Sequence, residues 1–136
     1  MLSNDLHAAI ITALRGDAAL TALIASGSGV IDAMPSKRAF PFVLFAQSET
    51  VPRNTDDCPG NAHTLTFDSW SRAENRREVT DICERITRVL TEHSWTAAET
   101  HVVLVTALGT THEHMRDDRA YMTRLRFRML TEPTDI

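Results

Sequence analysis

With 136 residues, 43% of them hydrophobic and 24% charged, the chain has the make-up of an ordinary globular protein of one domain. Its formal charge of −4 argues against a protein that coats duplex DNA, which would carry a basic face. No apolar run approaches the roughly 20 residues needed to cross a bilayer. The first residues, Asp5 among them, have neither the basic cluster nor the cleavage pattern of a signal peptide, so the cytoplasm of the producing cell is the expected place of synthesis and assembly.

Ser3 is placed to cap a first helix, with Asp5 in its first turn near the positive end of the helix dipole. Leu6, Ile10, Ala13 and Leu14 mark the buried face and Gly16 ends the segment. Asp17 can cap a second short helix through Leu20, Leu23 and Ile24, and Ser26-Gly27-Ser28-Gly29 is a break. Val30 to Met34 reads as an edge strand closed by Pro35. After Phe40-Pro41, the apolar run Phe42-Val43-Leu44-Phe45-Ala46 suits a strand covered on both sides. From Thr50 to Asn61 the chain turns polar, with Pro52, Asn54, Asp56, Asp57, Pro59 and Gly60. It reads there as a loop of the length often used for binding.

His63 to Trp70 has the period of two expected of a half-buried strand. Ser71 with Glu74, or Asn75 with Glu78, offers a capping box for the helix that follows. Val79, Ile82, Cys83, Ile86, Val89 and Leu90 then form one apolar stripe, with Arg76, Arg77, Glu78, Asp81, Glu84, Arg85 and Arg88 on the polar remainder. That helix ends near Thr91 to His93. His101 to Leu108 gives a further strand around Val102-Val103-Leu104-Val105, and Ala120 to Thr131 a last, long one. The polar tip Met115-Arg116-Asp117-Asp118-Arg119 between them makes the pair antiparallel. The order α-β-β-β-α-β-β implies an α/β (α+β) fold: a mostly antiparallel, twisted sheet of four to five strands packed against two main helices.

On the last strand Tyr121, Leu125, Phe127 and Met129 share one face, and Arg124, Arg126 and Arg128 the other. Three readings of the arginine face stand side by side. It is a solvated face paired with acidic residues such as Asp68, a contact surface for another subunit, or a strip that follows a phosphate backbone. The last lacks an aromatic residue on the same face to stack a base.

The remaining polar clusters suggest no chemistry. His112-Glu113-His114 on a strand puts two imidazoles on one face without the third ligand that catalytic zinc needs. Asp56-Asp57 and Asp117-Asp118 are turn formers without the glycine and distant glutamate of a calcium loop. No Lys-Ser or Lys-Thr follows Gly27-Ser28-Gly29, as a phosphate loop would require, and no nucleophile elbow is present. The two cysteines fit no zinc or redox spacing: Cys83 reads as a small core hydrophobe and Cys58 as a free thiol of a reducing compartment. His7, His63, His93 and His101 carry no motif. No enzyme is read here, and no catalytic residue, metal or cofactor is expected.

The chain resembles the tail-completion, or tail-terminator, family of long-tailed bacteriophages and phage-derived gene transfer agents. The resemblance rests on the N-terminal helix, Val30 to Pro35, Phe40-Pro41-Phe42-Val43, and Asn61-Ala62-His63 leading to Asp68-Ser69-Trp70-Ser71. The helix around Val79 to Leu90 and the closing Arg124-Leu125-Arg126-Phe127-Arg128 complete it. It spans nearly the whole chain, and implies one tail-terminator-like domain over residues 1–136. It further implies a structural subunit of a ring, typically a hexamer, at the head-proximal end of the tail tube. Such a ring stops tube polymerisation, docks to head-completion proteins at the head–tail junction, and lets double-stranded DNA pass without reading its sequence. Another head–tail connector (head completion or stopper), a tube subunit, or a small nucleic-acid-binding domain are the competing readings. Interface candidates are Arg124, Arg126 and Arg128, with Arg53, Asp56 and Asp57 in the long polar segment and Arg116, Asp117, Asp118 and Arg119 at the hairpin tip. The two loops are expected to reach adjacent subunits or the tube.

Overall fold

The computed structural model describes residues 2–24, 29–33, 40–53, 59–72, 77–93, 95, 100–116 and 119–133. The elements run α1 (Asn4–Arg15), α2 (Ala18–Thr21), β1 (Val30–Ile31), β2 (Phe42–Pro52), β3 (Asn61–Ser71), α3 (Arg77–Glu92), β4 (Thr100–Met115) and β5 (Ala120–Pro133). The strands form one mixed sheet in the order β1-β2-β3-β5-β4, with β1 parallel to β2 and every other pair antiparallel.

The helices form where the caps and stripes require them. Ser3 Oγ accepts the Leu6 N–H at 3.1 Å at the start of α1, whose Leu6, Ile10, Ile11 and Leu14 are buried. Gly16 ends α1 in the ordinary right-handed conformation, φ −83°, instead of the left-handed turn its residue type permits. In α3 the stripe Val79, Ile82, Ile86, Val89 and Leu90 is buried, and Cys83 beside it is half-buried. These faces meet Val43, Phe45, Leu65, Phe67, Leu125, Phe127 and Met129 from one side of the sheet in a single core. Phe45 stacks on Phe67 at 4.6 Å, and Phe67 meets Phe127 edge-on at 5.9 Å. Each such side chain contributes about 1.5–3 kcal/mol by leaving water. A smaller cluster on the opposite sheet face joins Phe42, Leu44, Trp70, Ala120 and Met122.

Several boundaries differ from the sequence reading. The polar segment from Thr50 to Asn61 is not all loop: β2 continues to Pro52, which pairs with Asn61 at the start of β3. The connection shrinks to residues 53–60, closed by the Arg53 N–H donating to the Gly60 carbonyl at 2.8 Å. A Cβ on Gly60 would lie 2.9 Å from Arg53 O and 3.0 Å from Thr131 O, so only glycine fits this approach. The β1 strand shrinks to Val30–Ile31, while Met34 and Pro35 lie outside the described residues. The break at 26–28 and the capping candidates Glu74 and Asn75 lie outside them too, but Ser71 Oγ does donate to Glu78 Oε2 at 2.9 Å.

Two strands also differ in character. β3 is not half-buried: every residue from Leu65 to Ser71 is buried, because β3 is the middle strand and on its second face the side chains of β2 and β5 flank it, Arg124 over Asp68 and the Phe42–Met122 cluster around Trp70. Only Phe42 to Phe45 of the apolar run are buried, whereas Ala46 is exposed. β4 does not stop at Leu108 but runs to Met115, with register shifts between Val102/Leu104 and Ala107/Gly109. Gly109 has φ +147° at the second of these bulges, a conformation that favours glycine.

Asp17 holds α2 and α3 together. Its carboxylate accepts the Leu20 N–H at 2.9 Å as an N-cap and takes a two-pronged bond from Arg85, at 2.6 and 2.8 Å. The Arg85 guanidinium holds the Asp17 carboxyl below the usual carboxylate range. A depressed acid contributes stability that is complete above about pH 4 and lost as pH falls through its folded value. Asp17→Ala is therefore expected to cost about 1 kcal/mol for the cap alone. Asp17→Asn keeps the cap acceptor but flattens the loss of stability between pH 5 and pH 2, values set by that range. Urea unfolding across these pH values measures both, and an unchanged acid slope in Asp17→Asn would refute the assignment.

Candidate functional site

The sheet face turned away from the helices is polar through its middle, and register places its side chains in rows. Glu49, Thr64, Arg128 and Thr106 form one row across β2, β3, β5 and β4, and Gln47, Thr66, Arg126 and Gly109 form the next. A third row carries Leu44, Asp68, Arg124 and Thr111. Alternation on β5 turns Leu125, Phe127 and Met129 into the core and leaves Arg124, Arg126 and Arg128 exposed on this face.

The pairing of Arg124 with Asp68 is realised. Arg124 Nε and Nη2 donate to the two carboxylate oxygens at 2.8 and 3.0 Å. The Asp68 side chain is only 6% exposed against 47% for Arg124, so the arginine shields a nearly buried acid. That bond and the charge of Asp68 raise the Arg124 pKa further, leaving it cationic. Arg126 joins Gln47, Glu49, Thr64, Thr66 and Arg124 around a shallow depression of about 330 Å³. On this face Arg124, Arg126 and Arg128 stand among Glu49, Asp68, Glu113 and Glu132, so carboxylates offset the arginine row. The solvated, acid-paired reading thus holds for Arg124.

The other interface candidates are not brought together. Arg53 is exposed just after β2, where β2, β3 and β5 meet at the Pro52–Asn61–Thr131 row. Arg116 and Arg119 sit at the β4–β5 turn, closed by the Arg119 N–H donating to Arg116 O at 3.2 Å with Arg119 at φ 51°. The two turns lie at opposite ends of the sheet, ten β3 residues or roughly 33 Å apart. Asp56, Asp57, Cys58, Asp117 and Asp118 lie outside the described residues.

On the helix side, His112 and His114 do share a face, and both stack on Tyr121 at 5.6 and 4.7 Å. His112 Nδ1 is also 2.8 Å from Thr123 Oγ1. Among the described residues no group of three His, Cys, Asp or Glu side chains could hold a metal ion. An open groove of about 760 Å³ runs between α3 and β4, past Cys83, Arg88, Thr110 and His112. Burial pushes the Cys83 thiol up to about 12, which keeps it protonated and a poor nucleophile. No helix among the described residues is long and apolar enough to cross a membrane.

These features define an α+β protein whose distinctive surfaces are a sheet face of paired arginines and carboxylates and a long outer strand, β4, with no buried residue. The chain belongs to the family described as Tail completion protein gp17, which it matches over residues 8–132, and so to the structural proteins of phage-type tails. The same fold occurs in a chain from the virion of a native gene transfer agent (GTA) particle. The TM-score is 0.82 at 20% identity, over 94% of this chain and 95% of that one. No curated protein matches by sequence.

His63, which carries no motif, is the side chain that sequence reasoning passed over. It is 3% exposed and spans three strands, with Nδ1 2.8 Å from Thr50 Oγ1 and Nε2 2.9 Å from Thr131 Oγ1. Burial pulls its pKa below the ordinary histidine value. The folded chain therefore resists protonation where the unfolded chain accepts it. His63 contributes its full stability above about pH 6.5, and that contribution falls as pH drops from there towards its folded value. His63→Gln is expected to be less stable than the parent at pH 8 but to lose less on acidification to pH 5.5, a range set by that pKa. Parallel pH profiles of the two proteins in chemical denaturation would contradict this.

Proposed function

We propose that this chain is a tail terminator: a single domain, residues 1–136, that closes into a hexameric ring at the head-proximal end of the tail tube. The ring stops tube polymerisation and joins the tail to head-completion proteins at the head–tail junction of a phage or gene transfer agent particle, after assembly in the bacterial cytoplasm. It works by shape and association, and transforms no substrate.

The observation that carries this reading, beside family membership, is β4. None of its 16 residues is buried, although it forms a full-length outer strand of the sheet. A long strand with one side unpaired is a surface made for another chain. A ring uses such surfaces head to tail, with closure set by rotation.

The open sheet face supports passage of DNA. Excess arginines would neutralise phosphates and hold the duplex through counterion release. Here Asp68 engages Arg124, Glu113 adds its charge near Arg124, and Glu49 stands in the row of Arg128 beside Arg126. Retention of the purified protein on duplex DNA, weakening steeply with salt, would favour the nucleic-acid-binding reading instead.

Two experiments test the proposal. Arg126 is exposed and outside the core, so Arg126→Glu should leave the melting transition of the isolated chain in place while lowering the yield of joined particles. A normal particle count, or an unfolded variant, would count against a role in assembly. In particles made without this chain, electron microscopy should find overlong tails or tails without heads; normally joined tails of normal length would refute the function.

A further inference from the structure

Among the described residues the sheet has a second uncovered edge. β1 covers β2 only at Val43 and Leu44, and among the described residues no strand pairs with the outer side of Gln47 to Pro52. That stretch and β4 lie at opposite ends of the strand order. All of the large hydrophobic side chains that stand exposed among the described residues fall on these two strands: Val51 at 53%, and Val103, Leu104 and Leu108 at 48–53%.

Register places Val51 and Leu104 at one height. Val51 pairs with Ala62, Ala62 with Leu130, and Leu130 with Leu104, so Val51 and Leu104 end a single row on the same face. The rows from Pro52 back to Gln47 lead across to Val102 through Gly109, the stretch between and including the two bulges. β2, β3, β5 and β4 alternate in direction, so β4 runs opposite to β2. Copies related by rotation about an axis along the strands keep their strand sense. The β4 of one copy laid beside the β2 of the next therefore makes an antiparallel pair.

We infer that the self-association surface is this edge pair: Val102–Gly109 of one copy against Gln47–Pro52 of a second copy, with Leu104 beside Val51. The inference rests on the proposed ring and adds which surfaces form it. The pairing gives partners to outward N–H and C=O groups of both strands and brings Val51 against the apolar side chains of β4. It is head to tail, so it propagates from copy to copy and leaves no edge when the ring closes. It also limits the orientation of the subunit to two. With the helices on one side of a continuous sheet, the Arg124–Arg126–Arg128 face and the α1–α3 face look in opposite directions, one to the bore and one to the outside. The alternative role for the β4 bulges is to blunt an edge that stays free.

Cysteine cross-linking in assembled particles separates these possibilities. In the full chain carrying Cys58→Ser, Val51→Cys and Leu104→Cys together should give a ladder of disulfide-linked multimers on oxidation. Facing residues of an antiparallel pair have Cα atoms about 4.5–5.5 Å apart, within disulfide reach. Val51→Cys with Thr106→Cys covers a pairing displaced by one step of the strand period. Each protein with one introduced cysteine, whose remaining native thiol is the half-buried Cys83, should stay monomeric in the gel, and a mixture of the Val51→Cys and Leu104→Cys proteins should give cross-linked dimers. Cross-linking of either single variant alone would overturn the head-to-tail pairing. Particles that contain the chain and give no cross-link in either double variant would overturn the edge pairing while leaving the tail function intact. Loss of the chain from normally joined particles would remove the ring reading and this inference together.

Discussion

An outer β-strand presents a row of backbone donors and acceptors that only water or another chain can satisfy. In this protein that constraint falls on β4, a 16-residue strand at the edge of the sheet, and on the half of β2 that β1 leaves uncovered. The helices do not relieve it, because α1 and α3 spend their apolar stripes on the sheet face and leave both edges outside. What the molecule offers to others is therefore mainly the rim of its sheet.

The interior makes that rim stiff. β3 is buried along most of its length, with Leu65 and Phe67 in the helix-side core and Trp70 in the smaller cluster behind it. Asp68 is nearly buried on the second face, where Arg124 reaches across from β5 to its carboxylate with a two-pronged bond. Charge-assisted bonds of that geometry hold register as well as adding energy. His63 does the same near the opposite end, linking β2, β3 and β5 through two threonines. A sheet held at both ends in this way keeps Val51 and Leu104 at a common height.

Much of this was legible in the residues and some was not, for physical reasons. The α3 stripe, the caps Ser3 and Asp17, and the alternation on β5 were legible because each depends on neighbours within a few positions. The far half of β2 was not, because Gln47, Ser48, Glu49 and Thr50 are polar on both faces of an uncovered edge and lack apolar alternation. The end of β4 was hidden for the same reason: Thr110, Thr111, His112 and Glu113 are strand only through pairing with β5. The burial of Thr66 and Asp68 depends on side chains of β5, and the role of His63 on partners 13 and 68 residues away. Of the interface candidates, the arginine face was found from alternation, while the edges emerged only from strand order.

The most direct measurement of the central claim is an electron cryo-microscopy map of intact particles at a resolution that separates strands. The account requires one closed ring of this chain where the tail meets the head, its sheets running on from the β4 of each copy to the β2 of the next. Copies stacked along the tube, or a ring joined through its helices with β4 left free, would contradict it.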